Sequence, residues 1–265
     1  MSEDNRKTRI LVACAMKSGS TFIAKVLALY LGAERVEPVP YWGRLEQNLH
    51  EHLLASCLDR DIVLQMHVRP HVPNLEIIRK LGIEVVYVWR NLGDVLVSFD
   101  DHLRKEDYRN PVCYVHDQRQ YLAMPLQRRY RYLIEHAIPW YVSFYLSWRK
   151  GREGLPFVET HYEDLVSDPY GYFSRLLVGL GRPVDEDRLR SILASKIPDT
   201  RFNKGVNHRS IELISGENKR RLEELLESHC EDLSALRREL PWNLGPRAPR
   251  RSIFAGLVGS LSGKR

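Results

Sequence analysis

The chain has 265 residues, of which 43% are hydrophobic and 28% charged, and a formal net charge of +6. That length and apolar content suit one α/β domain with a full core, and argue against a disordered or fibrous chain. Five cations (Arg247, Arg250, Arg251, Lys264 and Arg265) lie in the last twenty residues, where no acid occurs, so the rest carries only about +1. A near-neutral body argues against nucleic acid as a partner, and any anion site in it must be a local cluster.

Cys14, Cys57, Cys113 and Cys230 are scattered, with no Cys-x-x-Cys spacing. That usage points to reduced thiols and a cytoplasmic setting, with no zinc site and no disulfide frame. The polar start, Met-Ser-Glu-Asp-Asn-Arg-Lys, reads as carrying no signal peptide, and no apolar run approaches membrane-spanning length.

In chain order, residues 10–15 read as a strand. Residues 19–31 carry Phe22, Ile23, Val26, Leu27 and Tyr30 at helical spacing and stop at Gly32. A second amphipathic helix is expected over 45–58, a strand over 61–67, a short helix over 74–81, an apolar strand over 84–89 and a helix over 94–104. Residues 105–118 mix polar and aromatic side chains, as a site-covering excursion does. A helical stretch then runs to about residue 150 with a break near Pro139, followed by a strand over 157–161. Helices over 169–180, 186–194 and 216–240 close the body. Apolar strands alternating with helices imply a three-layer α/β fold, its mostly parallel central sheet flanked by helices, with ligands outside the strands' carboxyl ends. One domain over 1–245 and a basic, weakly apolar tail over 246–265 are expected.

The segment Lys17-Ser18-Gly19-Ser20-Thr21-Phe22 joins a buried strand to a helix. Backbone N–H groups at a helix N-terminus beside a lysine make a phosphate cradle. The lysine precedes the glycine, whereas the nucleotide-triphosphate loop places it after, as Gly-Lys-Ser/Thr. Other strand ends deliver His67, Arg90 and Tyr162, and Ser98 lies two helical turns beyond Arg90, where the two can share a second phosphate. Alone, His67 could be a turn histidine like its neighbours His50, His52 and His71, and Tyr162 a core aromatic.

Five motifs, in order, resemble those of cytosolic-type sulfotransferases. The segment 17–22 is similar to the family's phosphosulfate loop, and Arg90-x₇-Ser98 to its 3′-phosphate segment. Tyr162-Glu-Asp-Leu-Val-Ser-Asp-Pro169 resembles a Tyr-Glu-Asp-Leu stretch, Phe202-Asn-Lys-Gly205 a late Phe-x-Arg-Lys-Gly element, and Gln65-Met-His67 the strand end with the catalytic histidine. The resemblance implies a P-loop-like fold and 3′-phosphoadenosine 5′-phosphosulfate (PAPS) as co-substrate. It implies no metal, and release of adenosine 3′,5′-bisphosphate (PAP). On that basis Ser18, Gly19, Ser20, Thr21 and Phe22 hold the 5′-phosphate, and Lys17 reaches the bridging oxygen. Arg90, Ser98, Lys204 and Gly205 hold the 3′-phosphate, Tyr162 and Phe22 contact adenine, and His67 is the general base.

The sequence departs from the family's pattern at Phe22 (for tryptophan), Met16 (for proline), Gln65 (for lysine) and Asn203 (for arginine), the last with Arg201 or Arg209 as candidates to compensate. The implied acceptor is a small molecule, glycan or lipid offering a hydroxyl or amine. Tyr41, Trp42, Tyr108, Tyr114 and Trp140 are candidates to line its pocket. Oligomeric state is left open. The tail reads as a disordered end or a short docked helix, with weak contact to an anionic membrane surface as the second reading. Two other functions stand beside sulfuryl transfer: a P-loop-type small-molecule kinase and a catalytically impaired nucleotide-binding protein.

Overall fold

The computed structural model describes residues 7–39, 47–106, 114–198 and 206–229. In chain order the elements are β1 (Arg9–Cys14), α1 (Ser20–Leu31), β2 (Glu34–Val36), α2 (Glu51–Ala55), β3 (Ile62–Met66), α3 (Val72–Leu81), β4 (Glu84–Trp89) and α4 (Leu92–Lys105). They continue as α5 (Gln118–Ala123), α6 (Leu126–His136), α7 (Ile138–Gly151), β5 (Phe157–His161), α8 (Tyr162–Ser167), α9 (Pro169–Gly179), α10 (Glu186–Ala194), α11 (Arg209–Leu213) and α12 (Gly216–His229).

The five strands form one sheet in the order β2-β3-β1-β4-β5, with every neighbouring pair parallel. Strand side chains alternate between two cores. Leu11 and Ala13 of β1 join Leu64, Met66, Val85, Tyr87 and the α6–α7 side chains on one face. Ile10, Val12 and Cys14 join Val63, Val86, Val88, α1 and α9 on the other. Burial on both faces explains why these strands read as unbroken apolar runs rather than as alternating ones. From β1 the chain crosses to the edge strand β2, comes back to β3 beside β1, and then passes to β4 on β1's other side. The connections therefore diverge at β1, opening a crevice beyond the carboxyl ends of β3, β1 and β4.

Most expected elements lie within two residues of their sequence-based bounds. The second helix does not. Where residues 45–58 read as one helix, only Glu51–Ala55 is helical among the described residues. Leu49 instead gives its backbone N–H to the buried Asn74 side chain at 2.8 Å, which diverts the chain from helical bonding. Helix α4 starts at Leu92 because the Asn91 side chain accepts from Asp94 N at 3.2 Å. The break near Pro139 falls at Ala137, with the proline in the first turn of α7. The tail over 246–265 and the stretch of the last helix beyond residue 229 lie outside the described residues. Among the described residues no helix is long and apolar enough to cross a membrane.

Candidate active site

The turn after β1 is built from two left-handed residues, Lys17 (φ 67°) and Gly19 (φ 76°). A lysine there costs on the order of 1–3 kcal/mol, and such strain gathers where function demands a backbone shape. Gly19 has a second constraint. A Cβ on it would lie 2.6 Å from Tyr162 Cδ2, so the loop closes against that ring only because residue 19 has no side chain. Helix α1 begins directly at Ser20, and its N-cap Gly19 supplies no side-chain hydrogen bond. Phe22 N donates to the Gly19 carbonyl at 3.0 Å, which closes the first turn, and the positive end of the helix dipole points into the crevice. Ser18 is buried and donates to the Ala15 carbonyl at 2.6 Å, which fixes the turn from within. Thr21 donates to Gln65 Oε1 at 3.3 Å, linking this loop to the end of β3.

Arg90 closes the crevice at the end of β4. It is 7% exposed, and its Nη1 donates to the Lys17 carbonyl at 2.8 Å. Its guanidinium lies over the Tyr162 ring at 4.0 Å, so that ring, 4% exposed, is held between Arg90 and Gly19. Burial pulls the Arg90 pKa below its ordinary value; the neighbouring Tyr162, Asp94 and Glu163 oppose that shift and Arg209 adds to it. The group remains a cation, since guanidinium does not deprotonate in proteins. Its Nε is buried with no hydrogen-bond partner, an unmet donor beside the cradle. Ser98, in the second turn of α4, is buried.

His67 stands at the end of β3, beside β1. Its Nδ1 lies 2.8 Å from the Cys14 carbonyl, an oxygen that can only accept. Nδ1 therefore carries the proton, and the lone pair sits on Nε2. The buried Cys14 thiol lies 3.6 Å from the same nitrogen. The Trp140 ring meets His67 edge-on, with centroids 6.4 Å apart, and stacks on Phe144 at 5.1 Å. Arg69 lies over Trp140 at 5.4 Å and donates to the Ser143 hydroxyl at 3.2 Å. Tyr141 donates to the Met16 carbonyl at 3.1 Å, which ties the start of α7 to the loop.

Lys17, Ser18, Gly19, Ser20, Thr21, Arg90 and Tyr162 thus share one region, with His67 on the adjoining strand end. Phe22 lies in the first turn of α1 beside Phe173, with ring centroids 6.1 Å apart. Lys204 and Gly205 lie outside the described residues, as do Asn203, Tyr41, Trp42 and Tyr108. Of the expected pocket aromatics, Trp140 neighbours His67, whereas Tyr114 is exposed and its carbonyl accepts from Tyr132.

Several residues of this region were not singled out from sequence. Asp94 accepts the backbone N–H groups of His208 (2.6 Å) and Ser210 (2.9 Å). Glu163 accepts from Asn91 N at 2.9 Å, and its carbonyl accepts from Asn207 Nδ2 at 3.0 Å. Asp101 pairs with Arg209 at 2.8 Å. The one sequence signal was the spacing of Asp94, Ser98 and Asp101, which places three polar groups on one helix face.

The architecture is that of solved sulfotransferases. A mouse sulfotransferase, SULT7A1, complexed with PAP superposes with a TM-score of 0.64 at 14% identity, covering 89% of this chain and 87% of that one. Retinol dehydratase with androsterone and inactive cofactor PAP gives 0.59 at 14% identity (86% and 83% covered), and its complex with retinol and PAP gives 0.57 at 16% (86% and 82%). At these identities the likeness establishes the fold. A search of curated proteins finds no match. The sulfotransferase-domain family model matches residues 7–223, most of the chain and every strand of the sheet, and on that match the chain belongs to the sulfotransferase family of enzymes.

Proposed function

We propose that the protein transfers a sulfuryl group from PAPS to a hydroxyl or amine of a small acceptor. The observation that carries this reading is the bond from Arg90 to the Lys17 carbonyl, because it joins a cradle for one phosphate to a buried cation for another. The residues present suit such a donor. The positive end of α1 opens on the loop, the left-handed Lys17 and Gly19 shape that loop against the Tyr162 ring, and Arg90 Nε is a buried donor with no partner. The order of lysine before glycine, and the placement of Arg90, disfavour the kinase reading.

PAPS supplies an activated sulfuryl group whose transfer leaves PAP. Around it, the N–H groups of Ser18 to Phe22 with the Ser20 and Thr21 hydroxyls bind the 5′-phosphate. Arg90 and Ser98, with Lys204 and Gly205, bind the 3′-phosphate. Phe22 offers a ring face to adenine, while Tyr162 contributes mainly by supporting Arg90 and Gly19. Lys17 holds its ammonium where charge grows on the leaving oxygen. His67 takes the acceptor's proton on Nε2, its Nδ1–H held by the Cys14 carbonyl. A base so placed contributes about 10²–10⁴-fold to the rate.

The acceptor would enter beside Trp140, whose indole supplies an apolar wall next to His67. That the retinol dehydratase structures contain retinol or androsterone supports a small alcohol with an apolar body. Among the described residues no carboxylate pairs with Arg69, whose guanidinium covers Trp140, and this adds a preference for acceptors with a negative charge. Incubation with ³⁵S-labelled PAPS and a panel of phenols, sterols, alkyl alcohols and hydroxy acids tests the reading. Label should pass to a small acceptor with equimolar PAP formed; PAPS binding without transfer to any member would support the impaired-enzyme alternative instead.

A further inference from the structure

Helix α4 presents Asp94, Ser98 and Asp101 on one face, at spacings of four and three residues. All three are buried. Asp94 has its carboxylate satisfied by two backbone donors, His208 N and Ser210 N, which are the residues on either side of Arg209. This pins the backbone of Arg209 at the level of Asp94. The other end of the side chain is pinned as well, because Arg209 Nη1 donates to Asp101 Oδ2 at 2.8 Å. Asp94 and Asp101 are about 10 Å apart along the helix axis, so the Arg209 side chain must run along α4 across the level of Ser98.

His208 is left-handed (φ 63°), a further sign that this turn is held in an imposed shape. The Ser210 hydroxyl is fully buried with no hydrogen-bond partner, and Arg90 Nε is in the same condition. Arg90 lies between β4 and α4, so Asp94, in the first turn of α4, holds the Arg209 backbone at the end of the helix nearest Arg90, and the charge of Arg209 accordingly lowers the pKa of Arg90 and of Tyr162. The Arg209 side chain at the level of Ser98, with the unmet Ser210 hydroxyl and Arg90 Nε, offers a set of donors to an anion. Asp101 remains neutralised on its other oxygen by Arg104, so binding an anion does not strip it of a partner.

We infer that Arg209 is the second guanidinium of the 3′-phosphate subsite, facing Arg90 across Ser98, with Asp94 and Asp101 as its positioning residues. This rests on the proposed use of PAPS. It also accounts for Asn203, where the family resemblance implies an arginine: the cation comes from six residues further along the chain.

Calorimetric titration of the full-length protein with PAP and with ADP, which lacks the 3′-phosphate, tests the assignment. Wild type should bind PAP well above ADP. R209Q should lose about 10- to 100-fold in PAP affinity, the range of a charged hydrogen bond, while ADP affinity stays within about twofold. R209K, which keeps charge but loses the planar fork, should lose at least about threefold for PAP alone and stands in if R209Q does not fold. An unchanged PAP-to-ADP ratio in either folded variant, or equal loss for both ligands, overturns the inference. A wild type that does not distinguish PAP from ADP overturns the PAPS reading itself, before any variant is made.

Discussion

The Arg90 guanidinium reaches across the crevice and donates to the carbonyl of Lys17 at 2.8 Å. The loop after β1 and the residue that ends β4 are therefore in direct contact at the carboxyl ends of the strands. A ligand with anionic groups at both ends of a ribose can touch both, and a nucleotide with phosphates at one end only would leave Arg90 Nε unmet.

Lys17 separates stability from activity. Its left-handed backbone is strained, and glycine adopts that conformation without cost. K17G should therefore melt no lower than wild type, the relief of about 1–2 kcal/mol offsetting the added freedom of the unfolded chain. Turnover should nevertheless fall by roughly 10²–10³-fold, because the ammonium at the leaving oxygen is gone. Thermal unfolding beside steady-state assays checks both halves; a variant that melts low would show the lysine to be part of the scaffold.

Gly19 carries the opposite sign. In G19A the new Cβ meets Tyr162 at 2.6 Å and sits at φ 76°. A loss on the order of 1–3 kcal/mol is expected, with a drop of several degrees in Tm. Because the clash is with one ring, the double variant G19A/Y162A should cost less than the sum of the two single changes, as a double-mutant cycle in denaturant would reveal.

For His67 the expected outcome is a pure rate effect. H67Q should lower kcat by about 10²–10⁴-fold with PAP affinity within about twofold of wild type, and should abolish the acid limb of the rate profile. Calorimetry alongside pH-dependent kinetics distinguishes this from a structural loss, in which PAP binding would fall too.

Alkaline stability follows from the tyrosines. Burial, first of all causes, raises Tyr121, Tyr162 and Tyr172, and pushes Tyr130 up to about 12. Above the ordinary tyrosine value of 10.0 the unfolded chain has lost these protons while the folded chain keeps them, so stability falls as pH rises. The contribution is complete below pH 10.0 and, for Tyr130, is lost by about pH 12. Each tyrosine adds about 1.4 kcal/mol per pH unit to the slope. Y172F, which removes the donor to Thr160, should lower that slope by one tyrosine's share in denaturant titrations between pH 10.0 and about 12.

Arg69 offers a readout of acceptor class. For pairs such as a hydroxy acid and its methyl ester, wild type should favour the acid in kcat/KM, and R69Q should reduce that preference by about 10-fold, chiefly through KM. Equal preference in wild type would remove the charge from the account of the acceptor while leaving the donor site untouched.

Much of this was legible in the chain because the central strands β1, β3 and β4 are buried on both faces and so read as apolar runs. The runs at 84–89 and 157–161 coincide with β4 and β5. The strand-end residues Lys17, His67 and Arg90 followed from the runs at 10–15, 61–67 and 84–89. What escaped notice depends on contacts distant in sequence. Strand β2 is only Glu-Arg-Val and forms because Glu34 N finds the Asp61 carbonyl at 2.8 Å. Helix α11 is five residues long and is held by Asp94, 116 residues from its Ser210. Arg209 could be named as a spare cation but not located, since its partner Asp101 lies 108 residues away.

The most direct test is titration of the wild-type protein, with EDTA present, against PAP, ADP and ATP. A single crevice with Arg90 across from the Lys17 loop predicts PAP binding about 100-fold or more tighter than ADP, from one to two added charged contacts, without magnesium. Equal affinity for PAP and ADP, or preference for ATP with magnesium restored, would contradict it.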